Sequence, residues 1–284
     1  MIKIIVQGGL GNQMFQYITA YSLAKKNKDI LLLARKDKLK LNKYFKSKDD
    51  IKFNYILGYI CAFQRKFYNK KYLQFFKIKT LSKNKEPKVL INDCKDGDII
   101  QSTFNSLEFF ENSLTELNYV FEIRKKYIDV FRDLIIYLNP KKKPYIAIHF
   151  RRKDYKTFGK YGLGSDNLVL PIDYYINCLN NIPNIKDYKI IAVGDDINEI
   201  KNININIDYD IIYQQNEEII DFQILKNADI VIAANSTYSF WASLLNKKAK
   251  LVFLPNYWLG FHVKSIEPKY IFNLLPDNFK IQNF

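Results

Sequence analysis

The sequence predicts an α/β protein of two domains, each built on a parallel β-sheet. Short apolar segments rich in β-branched residues alternate with segments of helical pattern along the 284 residues, which is typical of parallel sheets covered by helices. Residues 139–144 interrupt this alternation with two prolines and three lysines, a composition typical of a linker. We therefore predict a first domain at residues 1–139 and a second at residues 140–284.

The composition is that of a globular protein from a reducing compartment. Hydrophobic residues make up 48% of the chain, and Cys61, Cys94 and Cys178 have neither the spacing of a zinc site nor the density of a disulfide framework. No apolar run approaches the ~20 residues of a membrane-spanning helix. Because glycines interrupt the apolar N-terminus, it does not resemble a signal peptide. We expect a cytoplasmic protein, free or peripheral on the inner face of the plasma membrane.

The first elements form a strand–loop–helix–strand unit. Ile2 to Val6 is almost entirely apolar, as expected of a central parallel strand, and Ile30 to Ala34 repeats this pattern. Between them, Gln7 to Gln13 is rich in glycine, and Met14 to Lys26 has a helical pattern. The loop matches neither the GxGxxG fingerprint of dinucleotide-binding proteins nor the Walker lysine loop.

The glycine-rich loop is a candidate for ligand contact. Gly9 and Gly11 allow the backbone to approach a ligand closely, and Asn12 and Gln13 add side-chain amides beside the start of a helix. The alternative is that the glycines only form a tight turn.

The rest of the first domain is less regular. Residues 35–90 are basic and aromatic, with helical stretches expected around Tyr55 to Phe76. A strand is predicted at Gly97 to Ser102, and a mostly helical region follows from Leu107 to Leu138.

Strands and helices alternate again after the linker, which indicates a second parallel sheet. The predicted strands are Tyr145–Phe150, Tyr188–Val193, a short one at Ile211, Asp229–Ala233 and a last one at Lys250–Leu254. The predicted helices begin near Pro171, at Glu217 and at Ser239.

Charged residues follow directly after the strand Tyr145–Phe150. His149 lies near its end, and Arg151, Arg152 and Asp154 come next. In an open α/β sheet, ligands bind beyond the carboxyl ends of the strands. Planar guanidinium groups donate paired hydrogen bonds to phosphate oxygens, and Asp154 is placed to hold one of them. The alternative is a surface turn on a basic protein.

Polar residues follow two more strands of the second domain. They are Asp195 and Asp196 after one strand, and Asn235, Ser236, Thr237 and Ser239 after another. Parallel strands end at one edge of a sheet, where a carboxylate can bind the N–H groups of a purine and a helix start can bind phosphate. The three clusters together predict a nucleoside diphosphate site, although each of the last two is also explained as a helix cap.

Two Asp-x-Asp sequences, Asp96-Gly97-Asp98 and Asp208-Tyr209-Asp210, resemble metal-binding motifs. Each precedes an apolar run and is more typical of a turn, so no metal site is predicted. Two arginines that neutralise a leaving diphosphate would make a divalent ion unnecessary.

The net charge of +15 is concentrated in the first part of the chain. Residues 1–100 contain 22 Lys and Arg against 8 Asp and Glu, whereas residues 101–284 contain 22 against 21. A basic surface attracts an anionic membrane or a phosphorylated acceptor, and no motif for nucleic-acid binding accompanies it. The alternative is a compositional bias, because the chain is rich in Lys, Asn and Ile together.

Five segments, in this order, resemble the α1,2-fucosyltransferases of glycosyltransferase family 11. They are Gly8–Tyr17 (GGLGNQMFQY), His149–Tyr155 (HFRRKDY), Pro171–Tyr175, Gly194–Asp196 and Asn235–Trp241 (NSTYSFW). The first is long and specific, and together they span most of the chain. Gly194 departs from the family pattern, in which Ser is frequent. Through its His-x-Arg-Arg-x-Asp motif, the family is similar to α1,6- and protein O-fucosyltransferases.

The resemblance implies a fold, a reaction and its partners. The fold is GT-B-like, with two facing Rossmann-like domains. The reaction is an inverting transfer of L-fucose from GDP-fucose to the 2-hydroxyl of a galactose-containing oligosaccharide or lipid-linked glycan, in surface polysaccharide biosynthesis and without metal or cofactor. The alternatives are a transferase of another activated deoxysugar, such as rhamnose, and a non-catalytic protein that binds a nucleotide or a glycan.

The resemblance also implies roles for single residues. Arg151 would bind the β-phosphate, with Arg152 and Asp154 completing the motif, while Asp195 or Asp196 would bind guanine. Asn235, Ser236, Thr237 and Ser239 would line the diphosphate, and Gly9, Gly11, Asn12 and Gln13 would border the donor from the first domain. His149 would be a catalytic base or a positioning residue, and we favour positioning because a dissociative transition state needs little base assistance.

Overall fold

The computed structural model describes residues 1–26, 28–46, 52–66, 76–80, 86–159, 162–202 and 209–284. Its contacts divide the chain into two compact units. The first unit is Met1–Ile123 with the returning segment Lys269–Leu274, and the second is Arg124–Pro268 with Leu275–Phe284. Each unit has its own parallel sheet, so the predicted α/β class with two parallel sheets is confirmed.

The first unit contains a five-stranded sheet of order β3-β2-β1-β5-β4. Its strands are β1 Ile2–Val6, β2 Ile30–Ala34, β3 Lys52–Asn54, β4 Ile78–Thr80 and β5 Ile99–Gln101. Its helices are α1 Leu10–Lys25, α2 Leu41–Tyr44, α3 Tyr55–Lys66, α4 Pro87–Asn92 and α5 Leu117–Val120, with 3-10 turns at Lys36–Lys38 and Leu107–Glu116. The expected helix around Tyr55 to Phe76 is α3 as far as Lys66, and residues 67–75 lie outside the described part.

The turn after β1 is shorter than the sequence suggested. Helix α1 begins at Leu10, so Gly11, Asn12 and Gln13 belong to its first turns and not to a loop. Gly8 makes the turn possible, because its φ of +82° is rarely adopted by other residues and an added Cβ would lie 2.8 Å from Asn12 Nδ2.

The second unit contains a six-stranded sheet of order β11-β10-β9-β6-β7-β8, with every pair parallel. Its strands are β6 Tyr145–Phe150, β7 Lys189–Gly194, β8 Ile211–Gln214, β9 Ile230–Ile232, β10 Leu251–Pro255 and β11 Phe279–Gln282. Its helices are α6 Lys125–Leu138, α7 Ile172–Asn180, α8 Ile197–Asn202, α9 Glu218–Lys226 and α10 Thr237–Leu244. Residues 203–208, which include Asp208 of the second Asp-x-Asp sequence, lie outside the described part.

Helix α6 was assigned to the first domain from the sequence but packs in the second unit. Buried Gln223 of α9 donates its amide to the carbonyl of Tyr127 in α6 at 2.8 Å. The predicted linker therefore lies within the second unit, where it connects α6 to β6. Asn139 closes it as a compact turn, since its side chain bonds both the N–H and the carbonyl of Lys143. The prolines and polar residues of residues 139–144 are therefore explained by a tight turn and not by a flexible linker.

The cysteines and the helix lengths bear on the expected environment of the protein. The three cysteines are free and buried. None of the described helices has both the length and the hydropathy that crossing a bilayer requires.

Candidate functional site

The carboxyl ends of three central strands of the second unit lie side by side. Strand β6 pairs with β7 so that Phe150 lies opposite Gly194, and with β9 so that Ile148 lies opposite Ile232. Gly194 permits this approach, because a Cβ there would lie 2.8 Å from the carbonyl oxygen of Phe150. The absence of a serine at this position therefore has a local steric reason. The polar residues that follow β6 and β7 therefore lie next to each other at this edge of the sheet.

Arg151 is held between two carboxylates at this edge. Its guanidinium lies 2.7 Å from Asp154 Oδ1 and 3.0 Å from Asp195 Oδ2, and it stacks over the ring of Tyr155 at 5.3 Å. The side chain remains 30% exposed, so its donors are accessible to a ligand. Two fixed partners and a ring orient the planar fork before any ligand arrives, which reduces the entropic cost of binding an anion.

Arg152 has a different environment from its neighbour. It is only 8% exposed and lies over the ring of Phe150 at 5.9 Å. Its Nε has no hydrogen-bond partner, and within the described ranges it forms no ion pair. Burial of a cation without an opposite charge is costly. An anionic ligand would supply the missing charge, so the environment of Arg152 is consistent with the predicted anion site.

The carboxylates Asp195 and Asp196 are engaged with the protein itself. Asp195 Oδ1 accepts a hydrogen bond from the N–H of Arg152 at 2.8 Å, while Oδ2 contacts Arg151. Asp196 Oδ1 accepts from the N–H of Glu199 at 3.3 Å, in the first turn of α8. Asp195 is therefore positioned to orient the arginines, and Asp196 to cap a helix. Guanine contacts of Asp195 and Asp196 stay predictions.

His149 is buried at the end of β6. It is 4% exposed, its ring lies 5.2 Å from that of Tyr238, and its Nδ1 has no hydrogen-bond partner among the described residues. Burial, with a smaller contribution from the charge of Arg151, lowers the pKa of His149 to about 3. The imidazole is thus neutral at physiological pH, and its weak basicity favours a positioning role over general-base catalysis.

Helix α10 begins directly after β9. Its N-cap Ser236 accepts a hydrogen bond from the N–H of Tyr238 at 3.4 Å. Ser239 is buried, and its hydroxyl donates to the carbonyls of Ala234 and Ser236 at 3.2 and 3.1 Å. Of the predicted hydroxyls, Ser236 and Thr237 thus lie at the helix start, whereas the Ser239 hydroxyl is directed into the protein.

Asn235 anchors a loop beneath the site. It is fully buried, and its amide donates to the carbonyl of Leu168 at 2.9 Å. The carbonyl of Asn235 in turn accepts from the hydroxyl of Tyr155 at 2.9 Å. Because Arg151 stacks on Tyr155, this chain of contacts connects the arginine to the start of α10. We assign Asn235 a structural role in the site.

The substitution Asn235→Ala is expected to destabilise the protein. It leaves the buried carbonyl of Leu168 without its donor, a loss of about 1–3 kcal/mol in the free energy of unfolding. For a protein of this size, thermal unfolding should occur about 2–10 °C lower. Asn181→Ala is a matched control, because the Asn181 amide also donates to a backbone carbonyl, that of Asn177 at 2.9 Å, but at an exposed position. Equal melting temperatures for the two variants would contradict this role.

Asp221 of α9 is a candidate that the sequence analysis missed. It is 7% exposed, and its oxygens accept hydrogen bonds from the backbone N–H of Asn216 at 3.2 Å and from the Asn216 amide at 2.8 Å. Burial raises the pKa of Asp221 to about 6. Its neighbour Phe222 packs on the Tyr238 ring that also contacts His149, so Asp221 belongs to the same region. A carboxylate within the apolar sequence EIIDFQILK was the available signal.

In the first unit, the amide of Gln13 is used within the chain. It donates to the carbonyls of Gly8 at 3.0 Å and Lys38 at 2.8 Å, and it accepts from the N–H of Lys40 at 2.9 Å. These bonds connect the turn after β1 to residues 38–40, so Gln13 has a structural role. Donor contacts of Gly9, Gly11 and Asn12 stay predictions.

No cluster of His, Cys, Asp or Glu suited to a metal ion is present among the described residues. In the first Asp-x-Asp sequence, Asp98 accepts from the N–H of Lys95 at 3.0 Å and pairs with Lys79 at 3.2 Å. Gly97 between the two aspartates has a φ of +89°, so the segment is a turn.

Comparison with known sequences gives two matches of broad coverage. Residues 93–267, more than half of the chain, match glycosyl transferase family 11. The O-antigen biosynthesis glycosyltransferase WbnK of Escherichia coli is 27% identical over 292 residues, which cover 92% of this chain and 95% of that protein.

Comparison with solved structures identifies the fold. The NodZ α-1,6-fucosyltransferase soaked with GDP-fucose has a TM-score of 0.56 and 13% identity, and covers 88% of this chain and 93% of its own. NodZ from Bradyrhizobium, in selenomethionine form, has a TM-score of 0.55 at 12% identity, with the same coverage. A family 9 glycosyl transferase from Veillonella parvula has a TM-score of 0.52 at 10% identity, covering 99% of this chain and 86% of its own. The likeness supports the predicted GT-B-like class, with two Rossmann-like α/β units.

Proposed function

Because the chain belongs to glycosyl transferase family 11, we propose that it transfers L-fucose from GDP-fucose to the 2-hydroxyl of a galactose-containing glycan, with inversion. The structural observation that carries the proposal is the arginine pair, of which Arg151 is oriented by two carboxylates and Arg152 is buried without an ion-pair partner among the described residues. Such a pair is suited to the two negative charges of a diphosphate. The start of α10, with Ser236 and Thr237, adds N–H and hydroxyl donors.

Guanine is best placed at Asp221. In guanine, a ring N–H and an amino group lie side by side, and a carboxylate accepts from both at once. Asp195 pairs with Arg151, and Asp196 caps α8. Both oxygens of Asp221 also accept hydrogen bonds, from Asn216, but among the described residues this buried carboxyl has no ion-pair partner, and burial raises its pKa. A bound guanine would stabilise its charged form, so we propose Asp221 for the guanine-binding role in place of Asp195 or Asp196.

The proposed mechanism follows from where charge develops. As the bond between fucose C1 and the diphosphate breaks, negative charge accumulates on the β-phosphate, and the fixed guanidinium of Arg151 stabilises that charge. Asp154 and Asp195 keep the guanidinium in place. The acceptor hydroxyl attacks C1 from the opposite side, which inverts the configuration, and its proton passes to the departing diphosphate or to water. His149 is neutral and buried, and it orients the site and does not take the proton.

Two positive groups at the diphosphate also supply what a divalent cation supplies in other transferases. We therefore propose that the reaction needs no metal ion. Support for an acceptor in surface polysaccharide biosynthesis comes from WbnK, whose name assigns it to O-antigen biosynthesis. The acceptor would be an oligosaccharide or a lipid-linked glycan, and the enzyme would work in the cytoplasm or at the inner face of the plasma membrane.

Donor turnover is the experiment that tests this function. The purified protein is incubated with GDP-fucose and either lactose or N-acetyllactosamine in the presence of EDTA, and both GDP release and the linkage in the product are measured, the latter by NMR. We expect an α1,2-linked fucose on galactose. A second arm replaces GDP-fucose by a thymidine diphosphate rhamnose donor.

The outcomes separate the alternatives. Turnover of the rhamnose donor alone would overturn the fucose assignment while keeping a glycosyltransferase. Tight GDP binding without turnover of either donor, also with added Mg²⁺, would indicate a nucleotide-binding protein. Activity that appears only with Mg²⁺ would contradict the metal-independent mechanism.

A further inference from the structure

Helix α3 of the first unit exposes a row of large apolar side chains. Ile56, Tyr59 and Phe63 are 75%, 44% and 48% exposed and recur at helical spacing along one side, and we call them the α3 face. The opposite side is packed against the sheet, where Cys61 is fully buried and a Cβ on Gly58 would collide with the backbone of Ala34. A continuous row of this kind on a surface marks a binding surface more often than isolated exposed residues do.

A cavity of about 510 Å³ opens beside the α3 face. The described side chains that line it are Tyr59, Ile60, Phe63 and Phe76, three aromatic rings and one aliphatic chain. None of these four is charged, so the part of the cavity that they form is suited to hydrocarbon. The inner end of an acyl chain is a ligand of this kind.

The residues next to the α3 face are strongly basic. Arg35 lies over the Tyr59 ring at 5.5 Å, and Lys36 and Lys38 of the neighbouring 3-10 turn are exposed. A carboxylate also contacts the face: Asp37 accepts from the hydroxyl of Tyr59 at 2.8 Å, and its charge is offset by Arg35 at 2.6 Å. At the two ends of the row, Lys52 and Lys66 are also exposed.

The combination of apolar side chains with a surrounding excess of positive charge identifies the partner. We propose that the α3 face docks the protein on an anionic phospholipid surface, with the apolar side chains among the acyl chains and the basic residues at the headgroups. A second copy of this chain fits less well, because two such basic surfaces repel each other. Residues 1–100, with 22 basic against 8 acidic side chains, provide long-range attraction to the same surface.

Helix α6 offers a contrast within the same chain. It exposes Val130 and Tyr137 at 54% and 81%, but its charges are mixed, since Arg132 pairs with Asp129 at 3.1 Å. Apolar exposure without a basic surround does not distinguish a membrane from other partners. The pair Val130 and Tyr137 is therefore a matched control for Ile56 and Phe63.

The test is co-sedimentation of the full chain with vesicles of phosphatidylcholine alone or mixed with phosphatidylglycerol. We expect binding to the mixed vesicles, weakened by salt. Ile56→Ser with Phe63→Ser should lower the partition coefficient roughly tenfold or more, and Lys36→Gln with Lys38→Gln about fivefold per lysine. Val130→Ser with Tyr137→Ser should leave binding unchanged. In Phe63→Trp, tryptophan emission should shift to the blue when mixed vesicles are added.

Several results would overturn the proposal. The protein could fail to bind mixed vesicles at low salt, the double substitution Ile56→Ser with Phe63→Ser could leave binding intact, or the α6 control could reduce binding equally. Light scattering after size exclusion tests one more outcome: if the protein is a dimer that the α3 substitutions dissociate, the face binds a second copy. Transfer to lactose, a free acceptor, should be unchanged in the α3 variants, so the outcome is independent of the proposed reaction.

Discussion

Replacing Arg151 by alanine is expected to lower kcat for fucose transfer by about 10²–10³-fold, with little change in protein stability. The lost interaction is strongest in the transition state, when the β-phosphate gains charge, and removal of one preorganised donor of this kind costs about 2.7–4 kcal/mol of activation free energy. Arg151→Lys should give an intermediate rate, because lysine keeps the charge but cannot donate two parallel hydrogen bonds. The measurement is steady-state GDP release with saturating acceptor.

Arg132→Ala is the matched control for this substitution. Arg132 is in the same unit and also pairs with two carboxylates, Asp129 and Asp133, but it is 61% exposed and belongs to α6. Its replacement should leave kcat unchanged. A change confined to KM in Arg151→Ala would mean that the arginine only binds the donor, and an unchanged kcat would remove it from the proposed mechanism.

Replacing Asp221 by asparagine is expected to weaken GDP binding about 10–150-fold. An amide cannot accept from both the ring N–H and the amino group of guanine, and hydrogen bonds to a charged group contribute about 1.5–3 kcal/mol. The loss of affinity should be specific to guanine. Adenosine diphosphate should bind more weakly than GDP, and with equal affinity to the original protein and to Asp221→Asn. Asp196→Asn is the control, since Asp196 caps α8. Titration calorimetry with GDP provides the comparison.

The same carboxyl gives the binding a pH dependence of known sign. Burial raises the pKa of Asp221 to about 6 in the free protein, whereas a bound guanine favours the carboxylate. GDP affinity should therefore fall as the pH decreases through about 6, by up to about tenfold per pH unit. Protonation of the terminal phosphate affects both proteins, so the difference between the curves for the original protein and Asp221→Asn isolates this group. Parallel curves would exclude Asp221 as the guanine-binding residue.

The sequence was most informative where strands are continuous and buried. Predicted and observed bounds coincide for β1, β2 and β6, because short and largely apolar runs are typical of central parallel strands. Edge strands carry no such pattern. Three-residue β3 and β4 include lysines, and in β11 the central residues are exposed, so neither periodicity nor hydrophobicity marks them.

The sequence predicts those parts of the site that depend on the order and direction of the strands. Parallel strands bring the residues after β6 and β7 together, and Arg151 does meet Asp195 there. The sequence cannot show which polar side chains already have hydrogen-bond partners within the protein. The amide nitrogens of Gln13 and Asn235, which the sequence suggests for the ligand, donate to the protein's own backbone. Asp221, which we propose for guanine, lies on helix α9 and not at a strand end, so the pattern of strand ends does not reveal it.

The returning segment Lys269–Leu274 has a consequence for biosynthesis. The first unit takes up these residues after the chain has passed through almost all of the second unit. During translation, Met1–Ile123 therefore emerges from the ribosome long before its own last segment is available. Domains normally fold in the order of their synthesis, so the first unit folds without residues 269–274 while the second unit is being made. The first unit is complete only when these late residues bind to it, and until then a chaperone has the opportunity to bind.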